Sequence, residues 1–391
     1  MLHPLTVAAF LDDFWGVTHC HVKRCRAGYF DSLLPGVSAV EDLLGLFRSE
    51  PSAVRLVRGS EKKGSDAYRL GDGTLDLVGV HNDFADGYTI VLDNVERYAR
   101  AVASLSHSIE VELNFATQVN AYLTPPGSQG FLPHYDDHDV LILQIQGSKN
   151  WHLYDTVVPP HEMRRQVPVD KARLPSPTDL CLEAGDVLYL PRGKVHVAET
   201  TSRSSVHLTV GIHAPTVFAL IARALDSLGF RDERLHAQLP PRHLDDADAR
   251  ASVSVLVREI ARALEEPSVI ADGLDALADV LVHRGRCPPV AHAISNAAGI
   301  DGQTLVRKYQ PLYSRVTADA GGVALHFAQL VINAGPDHKA AMLFVSRSTQ
   351  PFRVCELPGL RAEQQIELAR TLMVSGFLVR LPDGRESQPS A

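Results

Sequence analysis

The stretch PHYDDHDVLILQIQGSKNWHLYD, residues 133–155, joins a cluster of charged side chains to an apolar run. Its first part places two histidines and three aspartates between His134 and Asp139. The run VLILQIQ (140–146) is typical of a buried β-strand, and NWHLYD (150–155) of a second strand. Lys149 lies between the two, where a sequence that only builds a core would carry no charge. The stretch therefore predicts a β-sheet core with a polar site at its edge.

The composition is ordinary for a globular protein of two or three domains, with 391 residues, 45% hydrophobic and 21% charged. The net charge of −8 argues against nucleic-acid binding through a basic surface. The five cysteines form no CxxC pair, which favours a reducing compartment. No signal peptide is recognisable, and no apolar stretch reaches the roughly 18 residues of a membrane span. We therefore expect a cytoplasmic protein without a membrane segment.

Three regions differ in their hydrophobic period. Residues 1–214 contain short alternating runs such as QVNAYL (118–123), DVLYLP (186–191) and SVHLTVGI (205–212), which predict an all-β barrel or double-sheet core. Two helices are predicted to precede this core, around Thr6–Phe14 and around Asn94–Leu105. The fold class is accordingly α+β.

The remaining residues change to helical and then mixed patterns. Residues 215–295 repeat apolar side chains at helical spacing, as in Phe218, Ile221, Leu225 and Leu228, and predict a helical region whose apolar faces pack internally or against a second copy of the chain. Residues 296–391 return to mixed α/β. There RAEQQIELARTLMVSG predicts a helix that ends near Gly376, and FLVRL a strand, together suggesting a winged-helix-like module.

A metal site is predicted at the charged end of the stretch. His134 and Asp136 are two residues apart, so in an extended chain they point to the same side. His196, about 60 residues later in GDVLYLPRGKVHVAE, is the best candidate for a third ligand, although His138, His152 and His207 could compete. Two histidines and one carboxylate on one face of a metal leave positions open for other ligands, which suits non-haem Fe(II).

The position of Lys149 beside an apolar strand has two interpretations. A lysine at the end of an apolar strand commonly extends its ammonium to water. Alternatively, it pairs inside the barrel with the distal carboxylate of a dicarboxylate cosubstrate that chelates the metal at its other end. Asn120 and Tyr122 on the preceding strand could add hydrogen bonds to such a cosubstrate.

Several separate segments together resemble one family. The segments NAYLTPPGSQGFLPHYDDHDVLILQIQGSKNWHLYD, GDVLYLPRGKVHVAE and SSVHLTV agree in order and spacing with the JmjC-type ribosomal oxygenases, a group of Fe(II)- and 2-oxoglutarate-dependent protein hydroxylases. The resemblance covers most of the chain. It implies a double-stranded β-helix (JmjC/cupin-like) catalytic domain over residues 1–214, a helical dimerisation region over 215–295 and a winged-helix-like domain over 296–391.

The resemblance also implies roles for individual residues. The family's catalytic iron ligands correspond to His134, Asp136 and His196, and its 2-oxoglutarate contacts to Asn120, Tyr122, Lys149 and Thr209. Trp151 corresponds to a packing position. Lys149 agrees with the eukaryotic branch, since the bacterial arginyl hydroxylases typically carry arginine there. Gly211 stands where relatives often have serine, so a side-chain hydrogen bond from that position is lost.

The leading functional prediction is hydroxylation of a protein side chain, arginine or histidine of a ribosomal protein, by a homodimeric enzyme. An acidic body suits a basic substrate. One alternative is hydroxylation of a peptide or amino acid in natural-product biosynthesis, and lysyl demethylation is a further outcome open to the superfamily. An alternative of another class is a non-catalytic binding or assembly protein with the same barrel. We expect no DNA binding, because Glu363 and Glu367 accompany Arg361 and Arg370 in the candidate recognition helix.

Overall fold

The structure is a computed structural model that describes residues 1–34, 37–163, 169–284 and 299–381, with backbone only at 37–40. The chain divides into two compact units, one comprising residues 1–109 and 116–214 and the other residues 110–115 and 215–391. None of the helices within the described residues is long and apolar enough to cross a membrane.

The first unit is dominated by strands. Its helices are α1 (Val7–Asp13), α2 (Val37–Leu46), α3 (Leu77–Ala85), α4 (Arg100–Leu113, which begins in this unit) and α5 (Pro160–Met163). Its strands are β1 (Cys20–Val22), β2 (Val54–Arg58), β3 (Glu61–Lys63), β4 (Thr89–Leu92), β5 (Ala116–Thr124), β6 (Asp139–Gln146), β7 (Ser148–Val157), β8 (Thr178–Glu183), β9 (Val187–Leu190), β10 (Lys194–Thr200) and β11 (Ser205–His213).

Two antiparallel sheets form the barrel. The larger has the order β1-β9-β6-β11-β5-β4-β2-β3, and the smaller has the order β10-β7-β8. Apolar side chains from both sheets meet in one buried cluster, in which Val140 and Ile142 of β6 pack with Trp151 and Leu153 of β7. The prediction of a double-sheet barrel is therefore confirmed.

The turn between β6 and β7 requires a glycine. Gly147 has a φ of +69°, a left-handed conformation that side chains with a Cβ rarely adopt. A Cβ at this position would lie 2.2 Å from the backbone oxygen of Ser204. This turn carries the chain from one sheet to the other and delivers Lys149 to the inside of the barrel.

One predicted helix begins later than expected. The helix expected around Asn94–Leu105 is α4, which starts at Arg100. Asn94 has a left-handed φ of 59°, and a short 3-10 turn covers Val95–Arg97. The helical hydrophobic period therefore extends across a segment whose backbone is not yet α-helical. The helix expected around Thr6–Phe14 is α1, with the Thr6 side chain accepting a hydrogen bond from the Ala9 N–H as its N-cap.

The second unit contains helices followed by short strands. Its helices are α6 (Val217–Gly229), α7 (Ala247–Leu264), α8 (Pro267–Val282), α9 (Lys339–Arg347) and α10 (Ala362–Val374). Its strands are β12 (Leu305–Lys308), β13 (Arg315–Ala318), β14 (Val323–Phe327), β15 (Leu330–Ala334), β16 (Phe352–Arg353) and β17 (Leu378–Arg380). They form two three-stranded sheets, β16-β12-β17 and β13-β14-β15.

The two parts of this unit have different cores. Helices α6 and α8 share a small core of Ala224, Leu228 and Val269, whereas the C-terminal strands and helices enclose a larger one that includes Val306, Leu325 and Met342. The helical character of the middle region and the helix and strand around Gly376 are confirmed. The predicted boundary near residue 295 lies outside the described residues, and the three-domain division stays a prediction.

We predict that Gly147→Ala lowers the free energy of unfolding by more than about 2 kcal/mol, because it combines a left-handed backbone with a backbone clash. Urea denaturation of the purified variant measures this loss. Gly64→Ala is the matched control, since Gly64 has a φ of −71° and nothing within 4 Å of the added carbon. Equal stability of the two variants would contradict this account of the turn.

Candidate metal and cosubstrate site

A cavity of about 270 Å³ lies between the two sheets of the first unit. It is lined by alternate residues of three neighbouring strands in the larger sheet, because successive side chains of a strand point to opposite faces. The lining residues are Gln118, Asn120 and Tyr122 of β5, Val140 and Ile142 of β6, and His207, Thr209 and Gly211 of β11. Lys149, Trp151, His196 and Ala198 line it from the smaller sheet.

Strand register orders these residues in layers. Strand β11 pairs His207 with Tyr122, Thr209 with Asn120 and Gly211 with Gln118. In the facing sheet, Lys149 pairs with Thr200 and Trp151 with Ala198. His207 and Lys149 are 2% and 4% exposed, while His213 at the far end of β11 is exposed. The cavity therefore has a closed base near Lys149 and His207, and it opens toward His213.

The three predicted metal ligands converge near the open end. One ligand atom from each of His134, Asp136 and His196 lies within 4.8 Å of the other two. The His196 Nε2 is 3.7 Å from an Asp136 carboxylate oxygen, and the two imidazole centroids are 4.4 Å apart. His134 and His196 also form an antiparallel backbone bridge, which brings together segments that are far apart in the sequence.

Backbone carbonyls orient both imidazoles. The Nδ1 of His134 lies 2.8 Å from the carbonyl oxygen of Leu132, and the Nδ1 of His196 lies 2.9 Å from that of Lys194. A carbonyl can only accept, so each Nδ1 carries the proton and each Nε2 presents a lone pair. Hydrogen bonds of this kind are typical of metal-ligating histidines.

Burial keeps His196 neutral. Desolvation, together with a smaller effect of the neighbouring His134, lowers the pKa of His196 to about 4. A neutral imidazole is the form that binds a metal. Two imidazole nitrogens and one carboxylate on one side of a cavity fit Fe(II), whose remaining positions would face the open space.

The three aspartates of the opening stretch have different environments. Asp136 joins the metal site, whereas the Asp137 side chain is 81% exposed. Asp139 is buried and accepts a 2.6 Å hydrogen bond from the Tyr189 hydroxyl. The density of charge in the sequence thus reflects one ligand, one solvated side chain and one structural hydrogen bond.

Lys149 lies at the base of the cavity. Its Nζ donates a 3.0 Å hydrogen bond to the Thr124 hydroxyl, and among the described residues no carboxylate lies within ion-pair distance. Burial lowers the pKa of Lys149 to about 7. A buried ammonium without an anionic partner is costly unless a ligand supplies the negative charge. The structure therefore fits the interpretation in which Lys149 lies inside the barrel. It does not fit the interpretation in which the ammonium extends to water.

The other predicted cosubstrate residues line the same cavity. Asn120 and Thr209 face each other across β5 and β11 in the layer above the base. Tyr122 is hydrogen-bonded to Asn120, and burial raises the pKa of Tyr122 to about 12, so its hydroxyl stays protonated. Trp151, predicted to be a packing residue, is 5% exposed and also forms part of the wall.

From the sequence, His207 is considered only as a competing metal ligand and Arg55 is not singled out, although both line the cavity. His207 stacks on Tyr122 with centroids 4.6 Å apart, and its pKa is lowered by burial and by the nearby Lys149. Arg55 of β2 makes two hydrogen bonds to Asp93, of 2.7 and 2.6 Å. The alternation of SVHLTVGI places His207 on the face of Thr209, so His207 could have been found. No local signal connects Arg55 with the site.

Comparison with known proteins shows which proteins this chain is similar to. The sequence profile of the JmjC domain matches residues 95–220, so the chain carries a JmjC domain. Ribosomal oxygenase 2 of Rattus norvegicus is 30% identical over 303 residues, which cover 73% of this chain and 63% of that protein. The bifunctional lysine-specific demethylase and histidyl-hydroxylase NO66 of Drosophila grimshawi is 31% identical over 229 residues, 58% of this chain and 31% of that protein.

The chain thus spans less than two thirds of these two curated relatives. Its fold is similar over nearly its whole length to a solved structure of the Escherichia coli ribosomal oxygenase YcfD in complex with cobalt and 2-oxoglutarate. That match has a TM-score of 0.61 at 18% identity and covers 96% of this chain and 98% of the other. The resemblance to the JmjC-type ribosomal oxygenases is therefore confirmed.

We predict that Lys149→Met stabilises the ligand-free protein by on the order of 1–3 kcal/mol at pH 7. The folded-state pKa of Lys149, about 7, lies below the ordinary lysine value of 10.5, so the folded protein binds the proton less tightly than the unfolded chain. The free energy of unfolding of the wild type should therefore lie furthest below that of Lys149→Met under pH 7. This difference should shrink as the pH rises toward 10.

Chemical denaturation at several pH values measures this difference. Lys171→Met is the control, because Lys171 is exposed and its replacement should leave the pH profile unchanged. A Lys149→Met protein less stable than the wild type at pH 7 would contradict the view that the ammonium is an uncompensated charge.

Proposed function

We propose that this protein is an Fe(II)- and 2-oxoglutarate-dependent oxygenase that hydroxylates a side chain of a protein. One observation carries the proposal: a convergent His-Asp-His set and a buried lysine without an acidic partner within the described residues line the same cavity. A dicarboxylate that chelates a metal at one end needs a positive charge at the other. The His-Asp-His set could bind the metal-chelating end of such a molecule, and Lys149 at the other end of the cavity could bind its distal carboxylate.

The residues of the cavity divide the work. His134, Asp136 and His196 would hold the iron, while Lys149 and Thr124 would bind the distal carboxylate of 2-oxoglutarate. Asn120, Tyr122 and Thr209 would contact the cosubstrate between these ends. When bound, iron and 2-oxoglutarate supply an oxidative decarboxylation that yields succinate and CO2 and places one oxygen atom of O2 on a C–H group.

We propose a ribosomal protein as the substrate, modified at arginine or histidine. The names of the rat relative and of the E. coli structural neighbour support this choice, and the histidyl-hydroxylase part of the NO66 name supports histidine. The net charge of −8 favours a basic partner. The NO66 name also includes lysine demethylation, which is a second outcome to be tested.

The proposal predicts succinate formation and a mass gain of one oxygen atom on one ribosomal protein. Ribosomal proteins from cells that lack this gene are incubated with the purified protein, Fe(II), 2-oxoglutarate and ascorbate, then analysed by intact and fragment mass spectrometry. A loss of one methylene mass would instead indicate demethylation. Free peptides or amino acids as the only acceptors would favour the biosynthetic alternative, and absence of turnover and of bound iron would favour a binding protein.

His196→Ala should lower turnover by at least about a thousandfold, because the metal loses one of three protein ligands. Lys149→Met should weaken 2-oxoglutarate binding by about a hundredfold, measured by calorimetry on the cobalt-loaded protein. The matched control is His152→Ala. This histidine points away from the cavity toward Asp179, 2.6 Å from its Nδ1, and its loss should leave both quantities unchanged.

We further propose that the helical region forms a homodimer. Helix α6 exposes Phe218 (61%), Ile221 (47%) and Leu225 (37%) on one face, although all three belong to its apolar stripe. Helix α7 has no fully buried residue and exposes Val255 and Val257. Apolar side chains clustered at helical spacing on a surface are typical of protein interfaces. A second copy of the chain could therefore cover the exposed apolar side chains of α6 and α7.

A Phe218→Asp, Ile221→Asp double variant should be monomeric by size-exclusion chromatography with light scattering, while the wild type should be a dimer. Both charges would be desolvated at the interface. Val78→Asp, at a position 72% exposed on α3 of the other unit, serves as the control and should remain dimeric. A monomeric wild type would overturn the proposed dimer.

For the C-terminal region, residues 296–391, we propose a winged-helix-like module that docks the substrate and does not bind DNA. Helix α10 carries Glu363 and Glu367 beside Arg370, so it lacks the basic surface that DNA requires. The assignment of residues 1–214 to catalysis and 215–295 to dimerisation belongs to the same proposal, as does a cytoplasmic location.

A further inference from the structure

His138 extends the layered arrangement of the cavity by one step. Strand β11 pairs Gly211 with Val140 and Ile212 with Asp139. Continuing this register places His138 opposite His213, and the two rings lie 4.4 Å apart. His138 thus stands at the open end of the cavity, one layer beyond Gly211, and it lines the same space as the metal ligands.

Gly211 makes room for the His138 ring. A Cβ added at Gly211 would lie 2.7 Å from the His138 Nε2 and 2.8 Å from its Cδ2, closer than side-chain carbons are found in proteins. The imidazole therefore occupies the volume that any larger residue at position 211 would take. The absence of a side chain at Gly211 thus leaves the space in which the His138 ring lies.

The His138 ring also has an unused hydrogen-bonding atom. Its Nδ1 is buried and has no hydrogen-bond partner among the described residues, since the carboxylate oxygen of Asp137 lies 3.9 Å away. Buried polar atoms in native proteins are almost always paired. An unpaired nitrogen on a ring that lines a cavity is expected where a ligand supplies the missing partner once the ring turns toward it.

We propose that His138 is a specificity-determining residue, which leans over Gly211 and hydrogen-bonds the polar group of the side chain presented for oxidation. The inference rests on the proposed function. The chemical class that it selects is a protein side chain with an imidazole, guanidinium or amide group, and an aliphatic side chain would leave the His138 nitrogen unpaired. A site built to hydrogen-bond its substrate rejects analogues that lack the bond.

The contact between the His138 ring and Gly211 can be tested without a substrate. Gly211→Ala should lower the melting temperature because the new methyl group strikes the ring. His138→Ala, Gly211→Ala together should recover most of that loss because the ring is then absent. Losses that simply add in the double variant would show that the two positions do not interact and would overturn the pairing.

The recognition half uses a synthetic peptide centred on the residue that gains an oxygen atom in the ribosomal-protein experiment. His138→Ala should lower kcat/KM for this peptide by about tenfold, the equivalent of one hydrogen bond, and weaken its binding to the cobalt-loaded, 2-oxoglutarate-bound protein to a similar degree. Affinity for 2-oxoglutarate should stay unchanged. His138→Gln, which keeps an amide for hydrogen bonding, should recover part of the loss, and His152→Ala should have no effect.

The outcomes separate the two proposals. A wild-type protein that modifies no ribosomal protein overturns the proposed substrate and this inference with it. A wild type that hydroxylates its target while His138→Ala binds and turns over the peptide equally well overturns the inference alone. Equal losses in His138→Ala and His138→Gln, with 2-oxoglutarate affinity also reduced, would mean that His138 only supports the site's structure, which also overturns it.

Discussion

Two backbone hydrogen bonds between His134 and His196 hold the candidate metal site together. The His134 N–H donates to the His196 carbonyl at 3.0 Å, and the His196 N–H donates to the His134 carbonyl at 2.8 Å. The Gly193 N–H adds a 2.8 Å bond to the Asp136 carbonyl. Because these bonds join the two segments that carry the ligands, the side chains converge without depending on a flexible loop. The site is thereby preorganised on sheet edges, as precise binding of a metal requires.

The sequence allowed much of this site to be predicted, because its signals are local. The two-residue spacing of His134 and Asp136, and a charge beside an apolar strand at Lys149, can be read without knowing the fold. Choosing among the histidines was harder. Only the folded arrangement shows that His152 points toward Asp179, that His207 lies at the base of the cavity and that His138 stands beyond Gly211.

What could not be predicted depends on register between distant strands. Arg55 reaches the cavity because β2 joins the larger sheet through β4, an order that no periodicity reveals. The fit of His138 over Gly211 likewise depends on the pairing of β6 with β11. The helix predicted around Asn94–Leu105 is present but starts only at Arg100, because an apolar period does not exclude a left-handed residue such as Asn94. Sequence patterns thus show which side of a helix or strand is buried. Which buried sides come together is decided by the pairing of strands that are distant in the sequence.

The closed base of the cavity imposes an order in time. Lys149 and His207 are almost fully buried, so a small diacid that binds them has to pass deep into the cavity. A macromolecule seated over the open end of the cavity covers the passage behind it. For the proposed oxygenase, 2-oxoglutarate would therefore have to bind before the protein substrate, and succinate would leave after it. The depth at which the Lys149 ammonium is buried would thus set the order of binding.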